Sequence, residues 1–217
     1  MKRQVDWGLY LVTDRPLSAP RTIEEVVAAA LPGGVSVVQL REKDSTTREF
    51  LLLARRLLAI LRPAGVPLII NDRLDVALAV GADGVHLGQS DLPYREARSI
   101  LGPDALIGLS VETLEQAREA EGMDIDYLAA SPVFSTPTKT DTGAAWGLAG
   151  LSSLRKLSRH PLVAIGGINR TNAESVLRAG ADGIAVISAI CATPDPGAEA
   201  KALREIIEKV HREGNRP

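Results

Sequence analysis

A single cysteine in 217 residues leaves no partner for an internal disulfide, and nothing in the composition points to an oxidising compartment. Aromatics are scarce, at two Trp, three Tyr and two Phe. Lys and Arg number 25 against 27 Asp and Glu, a formal charge of −2. That balance argues against a nucleic-acid partner, which would call for a basic face or stacking rings. Long hydrophobic runs are also missing. The longest charge-free stretch, Val26 to Leu40, is interrupted by Pro32, Gly33 and Gly34 and falls short of the roughly 20 apolar residues of a bilayer span. The N-terminal MKRQVDWGLYLVTD carries Asp6 and Asp14 around a short apolar centre and has no cleavage motif, so no signal peptide, no membrane and a cytoplasmic location are expected.

A chain without staples must hold itself by its core, and this length can bury roughly 70% of its unfolded surface. Short β-branched runs alternate with helical runs. Strands are predicted at Leu9–Thr13, Val35–Arg41, Pro67–Asn71, Gly84–Leu87, Leu106–Ser110, Tyr127–Ser131, Leu162–Ile165 and Gly183–Ile187. Several read as continuous apolar runs, as parallel strands covered on both faces do. The clearest helix spans Thr46 to Arg62, with Phe50, Leu53, Leu57, Leu58 and Leu61 on one side. Thr22/Glu25, Thr46/Glu49 and Thr171/Glu174 fit capping boxes. Gly33-Gly34, Gly81, Gly122 and Gly180 read as left-handed helix stops. Gly-Ala-Asp-Gly occurs at both 81–84 and 180–183, either as the trace of a repeat or as a common helix-to-strand turn. Eight βα units predict a single-domain (β/α)8 TIM barrel over 1–217, its core about 9–190 and a C-terminal helix about 195–213. A doubly wound sheet, with fewer strands and a switch point, is the competitor.

In a barrel the chemistry sits where strands end. The second strand ends Gln39-Leu40-Arg41-Glu42-Lys43, two cations and an amide that either open a solvated loop or grip phosphate. The third ends Asn71-Asp72, where Asp72 is either a helix cap or a ligand group. The fourth runs through His86 to Asp91. Asp72 and Asp91 on neighbouring strands suit Mg²⁺, which keeps waters and takes its remaining ligands from substrate phosphate. A closed zinc site is excluded, because no Cys/His set has the spacing. His86 is read as a hydrogen-bonded core histidine rather than a catalyst. Ser110 either caps the following helix or contacts a ligand; no partner marks it as a nucleophile. The loop from Ser131 to Gly143 offers Thr136, Thr138 and Lys139 to an anion. Gly167 and Ser188, after the seventh and eighth strands, fall where barrels bind phosphate. Cys191 is read as incidental. The picture is of two anionic subsites, Arg41, Lys43, Lys139 and Mg²⁺ at the more highly charged one, and Thr136, Thr138, Gly167 and Ser188 at the other.

Together YLVTD (10–14), VQLREK (38–43), IINDRLDVALAVGADGVHLGQSD (69–91), GLSVET (108–113), SPVFSTPTKTD (131–141), IGGI (165–168) and AGADGIAVISAI (179–190) resemble the thiamine-phosphate synthase (thiamine-phosphate pyrophosphorylase) family. The likeness runs from about Leu9 to Ile190. It implies a transferase that joins 4-amino-2-methyl-5-pyrimidinylmethyl diphosphate to 4-methyl-5-(2-phosphooxyethyl)thiazole, releasing pyrophosphate by a dissociative route. By motif, Gln39, Arg41, Lys43, Asn71, Ser110 and Lys139 would hold the pyrimidine diphosphate. Arg41, Lys43, Ser110 and Lys139 would take part in catalysis. Asp72 and Asp91 would hold Mg²⁺, and Thr136, Thr138, Gly167, Ile187 and Ser188 the thiazole phosphate. The Ala-Ala-Ser before Pro132 departs from the glycine-rich family pattern, so Ser131 would slightly reshape the thiazole pocket. Rival readings are a thiazole tautomerase, which needs less of the diphosphate and metal set, a sugar-phosphate epimerase, which would want an acid–base pair, and a non-catalytic thiamine-phosphate-binding protein. Partners are expected to be two phosphorylated small molecules, with homo-oligomerisation open.

Overall fold

The computed structural model describes residues 4–136 and 144–214. Eight parallel strands close in sequence order: β1 (Leu9–Val12), β2 (Val37–Leu40), β3 (Leu68–Asn71), β4 (Gly84–Leu87), β5 (Leu106–Val111), β6 (Tyr127–Ala130), β7 (Leu162–Ile165) and β8 (Gly183–Val186), with β8 paired back to β1. The helices are α1 (Arg15–Ser18), α2 (Ile23–Ala30), α3 (Thr47–Ala64), α4 (Leu74–Val80), α5 (Tyr94–Leu101), α6 (Leu114–Ala120), α7 (Gly147–Leu157), α8 (Ala173–Arg178), α9 (Ser188–Cys191) and α10 (Pro196–Gly214). All eight expected strands are present, and the closed ring excludes the open sheet. Among the described residues no helix is long and apolar enough to cross a membrane.

Two cores follow from the strand alternation. One lies between sheet and helices and takes the stripe of α3, Phe50, Leu53, Leu57, Leu58 and Leu61. The other fills the barrel interior with Tyr10, Val12, Val37, Ile69, Leu106, Tyr127, Ala129, Val163 and Ala185. Trp7 closes the bottom, its ring 4.4 Å from that of Tyr127 and 6.5 Å from that of Tyr10.

The N-terminal rim carries one contact four times. Asp83 Oδ2 accepts from the Leu68 amide at 2.9 Å, and the Asp83 amide donates to the Leu68 carbonyl at 3.0 Å. Asp126 does the same to Ile107 (2.8 and 2.8 Å), and Asp182 to Leu162 (2.7 and 2.8 Å). Ser36 holds Leu9 likewise, its Oγ accepting from the Leu9 amide at 3.1 Å and its amide donating to the Leu9 carbonyl at 2.9 Å. Each clasp joins an odd strand to the next even one and satisfies backbone groups at the sheet's edge.

The two Gly-Ala-Asp-Gly segments are read through this rim. Gly81 and Gly180 take positive φ, 64° and 112°, at helix ends. Asp83 and Asp182 are clasps. At Gly84 a Cβ would land on the Leu106 carbonyl, and at Gly183 on the Trp7 carbonyl, so only hydrogen fits. A helix-to-strand turn used twice accounts for the echo.

Local signals divide. The Thr22/Glu25 and Thr46/Glu49 boxes form. The Thr171/Glu174 box does not: the Thr171 hydroxyl donates to Asn169 Oδ1, Asn172 is the N-cap residue of α8, and Glu174 pairs with Arg178 and Lys209. Gly122 is no left-handed stop, since α6 ends at Glu121 in right-handed geometry. A capping box at Thr113/Gln116 starts α6, which leaves Ser110 inside β5 and removes its capping role. Asp72 is not the N-cap residue either: the residue before α4 is Arg73, and Asp72 sits at φ 62°.

Candidate active site

The strand ends open into one pocket at the C-terminal face. Gln39, Arg41, Asn71 and Ser110 line it on the β2-to-β5 side, and Thr136, Gly167, Ile187 and Ser188 on the other. These eight of the residues assigned to the two subsites therefore meet across one space. Lys43 lines an adjoining cleft whose shared wall is Arg41. Asp72 and Asp91 lie on the loops after β3 and β4, outside that lining. Thr138 and Lys139 fall outside the described residues.

Arg41 is held at both ends. Its amide donates to Thr13 Oγ1 at 3.1 Å, and its guanidinium lies 3.8 Å from Asp14, whose other oxygen caps α1 through the Leu17 amide. Only a small part of its side chain reaches solvent, so an anion in the pocket meets a preplaced fork. Beyond it Glu42 is nearly buried, and Arg15 donates to it at 2.7 and 3.0 Å.

Asp72 is the one described non-glycine residue with positive φ. Its amide donates to the His86 carbonyl at 2.9 Å, and the Arg73 amide reaches back to the Asn71 carbonyl at 2.7 Å. A tight turn of this kind costs about 1–3 kcal/mol and persists where its surroundings fix it. Asp91 Oδ2 accepts from the Gly88 amide at 2.6 Å. The described residues contain no group of three or more His, Cys, Asp or Glu able to enclose a metal. Two hard oxygen donors with open positions fit an ion that shares its ligands with substrate and water.

The far wall is built by close backbone approach. Gly166 and Gly167 have φ of 106° and 65°. A Cβ at Gly166 would lie 2.7 Å from that of Pro132, and one at Gly167 2.9 Å from that of Phe134. The amides of Val133 and Phe134 donate to the carbonyls of Ile165 and Gly166 at 2.8 and 3.1 Å. The loop after β6 is thus sewn to the end of β7. Ser131 is buried in the same wall, joined to Pro132 by a cis peptide.

The pocket floor was the part the motifs did not announce. Gln39 Nε2 donates to Tyr10 Oη at 2.9 Å. Tyr10 Oη lies 2.8 Å from Tyr127 Oη, which lies 2.8 Å from His86 Nδ1. His86 Nε2 lies 2.8 Å from Ser110 Oγ. Five strands each supply one member, and all five side chains are buried. His86 is a hydrogen-bonded core residue, as expected, but it also lines the pocket. Burial raises the pKa of both tyrosines, so both keep their protons at any physiological pH. Gly108 makes the room, since a Cβ there would strike the Tyr127 ring. Gln89 Nε2 donates to the Ser110 carbonyl at 2.6 Å, fixing the backbone that carries the hydroxyl. A glycine two residues before a strand-end serine was the available signal; the two tyrosines, 117 positions apart, gave none. Cys191 is buried with its thiol pKa raised by burial, which leaves it unreactive.

Residues 9–190 match the family model described as thiamine monophosphate synthase. A thiamine-phosphate synthase of Leptospira biflexa is 60% identical over 201 residues, covering 91% of this chain and 96% of that protein. One from Albidiferax ferrireducens is 56% identical over 202 residues, covering 93% and 92%. Among solved structures, thiamine phosphate pyrophosphorylase from Pyrococcus furiosus superposes with a TM-score of 0.86 at 42% identity, over 94% of this chain and 97% of that one. A 3-hexulose-6-phosphate synthase, at TM-score 0.69 and 17% identity, shares the fold.

Proposed function

The chain belongs to the thiamine monophosphate synthase family, and from that we infer a transferase that makes thiamine phosphate from a pyrimidinylmethyl diphosphate and a thiazole phosphate, with release of pyrophosphate. The single observation that supports the reading is one pocket lined by Gln39, Arg41, Asn71 and Ser110 on one side and Thr136, Gly167, Ile187 and Ser188 on the other, with Arg41 between it and the Lys43 cleft.

In this reading the pyrimidine diphosphate lies over Gln39, Asn71 and Ser110, and its phosphates face Arg41, Lys43 and Lys139. A bond that breaks by departure of pyrophosphate needs charge stabilisation more than a base. Arg41 supplies part of it from a position already fixed by Thr13 and Asp14. Asp72 and Asp91 would hold Mg²⁺, which when bound neutralises charge on the departing phosphates. The thiazole phosphate would be received by Thr136, Thr138, Gly167, Ile187 and Ser188, and holding the ring beside the pyrimidine carbon supplies the remainder through positioning. The apolar interior residues Val163, Ile165 and Ala185 line the pocket and keep water from that carbon. The protein would act in the cytoplasm on these two small molecules.

The test is pyrophosphate release by the purified protein with both precursors, with and without Mg²⁺. Release that needs the metal and the thiazole phosphate, in step with thiamine phosphate, is the expected result. A folded protein that releases none defeats the reading, and isomerisation of the thiazole phosphate alone would then identify a tautomerase. Asp91→Ala should abolish Mg²⁺-dependent turnover and leave thiazole-phosphate binding largely intact; unchanged turnover would remove Asp91 from the metal site. Lys139→Ala should lower kcat more than it raises the thiazole-phosphate KM, and the reverse would move Lys139 to the other subsite.

A further inference from the structure

The floor of the pocket is a hydrogen-bonded chain with a direction. A carboxamide nitrogen only donates. Gln39 Nε2 points at Tyr10 Oη, so Tyr10 accepts there and must send its own proton onward. Its other partner is Tyr127 Oη. Tyr127 then accepts from Tyr10 and sends its proton to His86 Nδ1. A histidine whose Nδ1 accepts carries its proton on Nε2, and that proton points at Ser110 Oγ. The Ser110 hydroxyl proton is the first in the series with no protein acceptor among the described residues, and Ser110 lines the pocket.

We propose that Gln39 is a positioning residue that sets the polarity of the Gln39–Tyr10–Tyr127–His86–Ser110 chain, fixing His86 as the Nε2–H tautomer and presenting Ser110 to the ligand as a hydrogen-bond donor. The site thereby reads an acceptor on its ligand, a ring nitrogen or an ester oxygen, and disfavours a donor placed over Ser110. Reversing the chain would turn Ser110 towards His86 Nε2 and offer the ligand a lone pair instead. Buried chains of this kind polarise along their length, so a choice made at Gln39 is felt at Ser110 although neither touches the other. That the acceptor belongs to the pyrimidine substrate rests on the function proposed above; the polarity rests on the four hydrogen bonds alone.

The tautomer is directly readable. The full-length protein, labelled with ¹⁵N-histidine and free of ligand, has three histidines, and the His86 signals are assigned by their loss in His86→Asn. At and above neutral pH, His86 should show a protonated Nε2 and an unprotonated Nδ1. A protonated Nδ1, or an imidazolium, overturns the polarity.

Gln39→Glu then tests who sets it, with the ionisation of the new carboxyl followed by its ¹³C shift. An ionised carboxylate can only accept, so Tyr10 must donate to it, the chain reverses, and His86 should move to Nδ1–H. A carboxyl that stays protonated still donates to Tyr10 and should leave the tautomer as it was. Any other pairing of carboxyl state and tautomer removes Gln39 from control. In the reversed state kcat/KM should fall roughly 10- to 100-fold, the worth of one hydrogen bond to a polar or charged acceptor, while thermal stability follows the wild type more closely. The two ideas fail separately. An Nε2–H His86 in a protein that makes no thiamine phosphate would refute the functional reading alone, and an active synthase with Nδ1–H His86 would refute the polarity alone.

Discussion

At the N-terminal end of the barrel the same clasp is made four times, by Ser36, Asp83, Asp126 and Asp182; near the C-terminal end the strands turn Gln39, Asn71, His86 and Ser110 to the pocket, each different from the next. Each clasp spends its amide and one side-chain oxygen on the neighbouring strand, and Asp126 and Asp182 also meet Arg98 and Arg155. At the mouth the hydrogen bonds run along the floor and end at a hydroxyl facing the pocket. Repetition marks the end whose task is to close the sheet. Variety marks the end whose task is to distinguish one ligand atom from another.

Substitutions at the two ends should therefore separate activity from stability. Ser110→Ala should have the largest effect on turnover, a loss of about 10- to 100-fold in kcat/KM, the worth of the one donor it removes, with a melting temperature close to wild type. If calorimetry finds a stability loss of the same size, the mouth is structural and the contrast collapses. Asp126→Ala should do the opposite. Its carboxylate is nearly buried and serves both the Ile107 amide and Arg98, so removal should cost about 2–3 kcal/mol in denaturant titration, with kcat of the folded fraction within about twofold. Ser36→Ala removes the one uncharged clasp and should cost about 1 kcal/mol by the same measurement; a cost equal to that of Asp126→Ala would mean that charge adds nothing at the rim.

The smallest effect should come from Asp6→Asn, below the rim. Burial raises the Asp6 pKa, but hydrogen bonds from Arg204 and Gly8 more than offset this, and the folded value lies below 3.8. A lowered carboxyl stabilises above its unfolded pKa and loses that contribution as pH falls through the folded value. With about half the side chain in solvent, screening holds the gain under about 1 kcal/mol. Stability curves of wild type and Asp6→Asn should therefore converge below pH 3.8 and stand slightly apart at neutrality. Curves that separate further in acid would reverse the sign.

Legibility in the sequence followed how local each cause is. Strands covered on both faces announce themselves as apolar runs, so all eight were placed, Gly84–Leu87 and Leu162–Ile165 to the residue. Two of three capping boxes formed because hydroxyl and carboxylate sit three residues apart. The third was lost to Asn169, which took the Thr171 hydroxyl. That Gln39, Arg41, Asn71 and Ser110 line a pocket was legible because barrel strands open at that end. The floor was not. Tyr10 lies inside β1 and Tyr127 opens β6, neither at the end of a strand where the chemistry gathers, and only closure of the ring brings their hydroxyls to 2.8 Å. Asp72 was legible as a residue but not in its backbone, since a positive φ outside glycine leaves no mark in composition.

The four clasps also count the barrel differently from its eight strands. They bind first to second, third to fourth, fifth to sixth and seventh to eighth. Circular permutants provide the measure of that count. New termini placed between the second and third strands, or between the sixth and seventh, leave every clasp inside an unbroken two-strand cassette. Termini placed between the third and fourth, or the seventh and eighth, split a cassette and turn one clasp from a contact between near neighbours into one spanning the whole chain. The first pair of permutants should fold faster than the second, although all four contain the same residues and close the same ring.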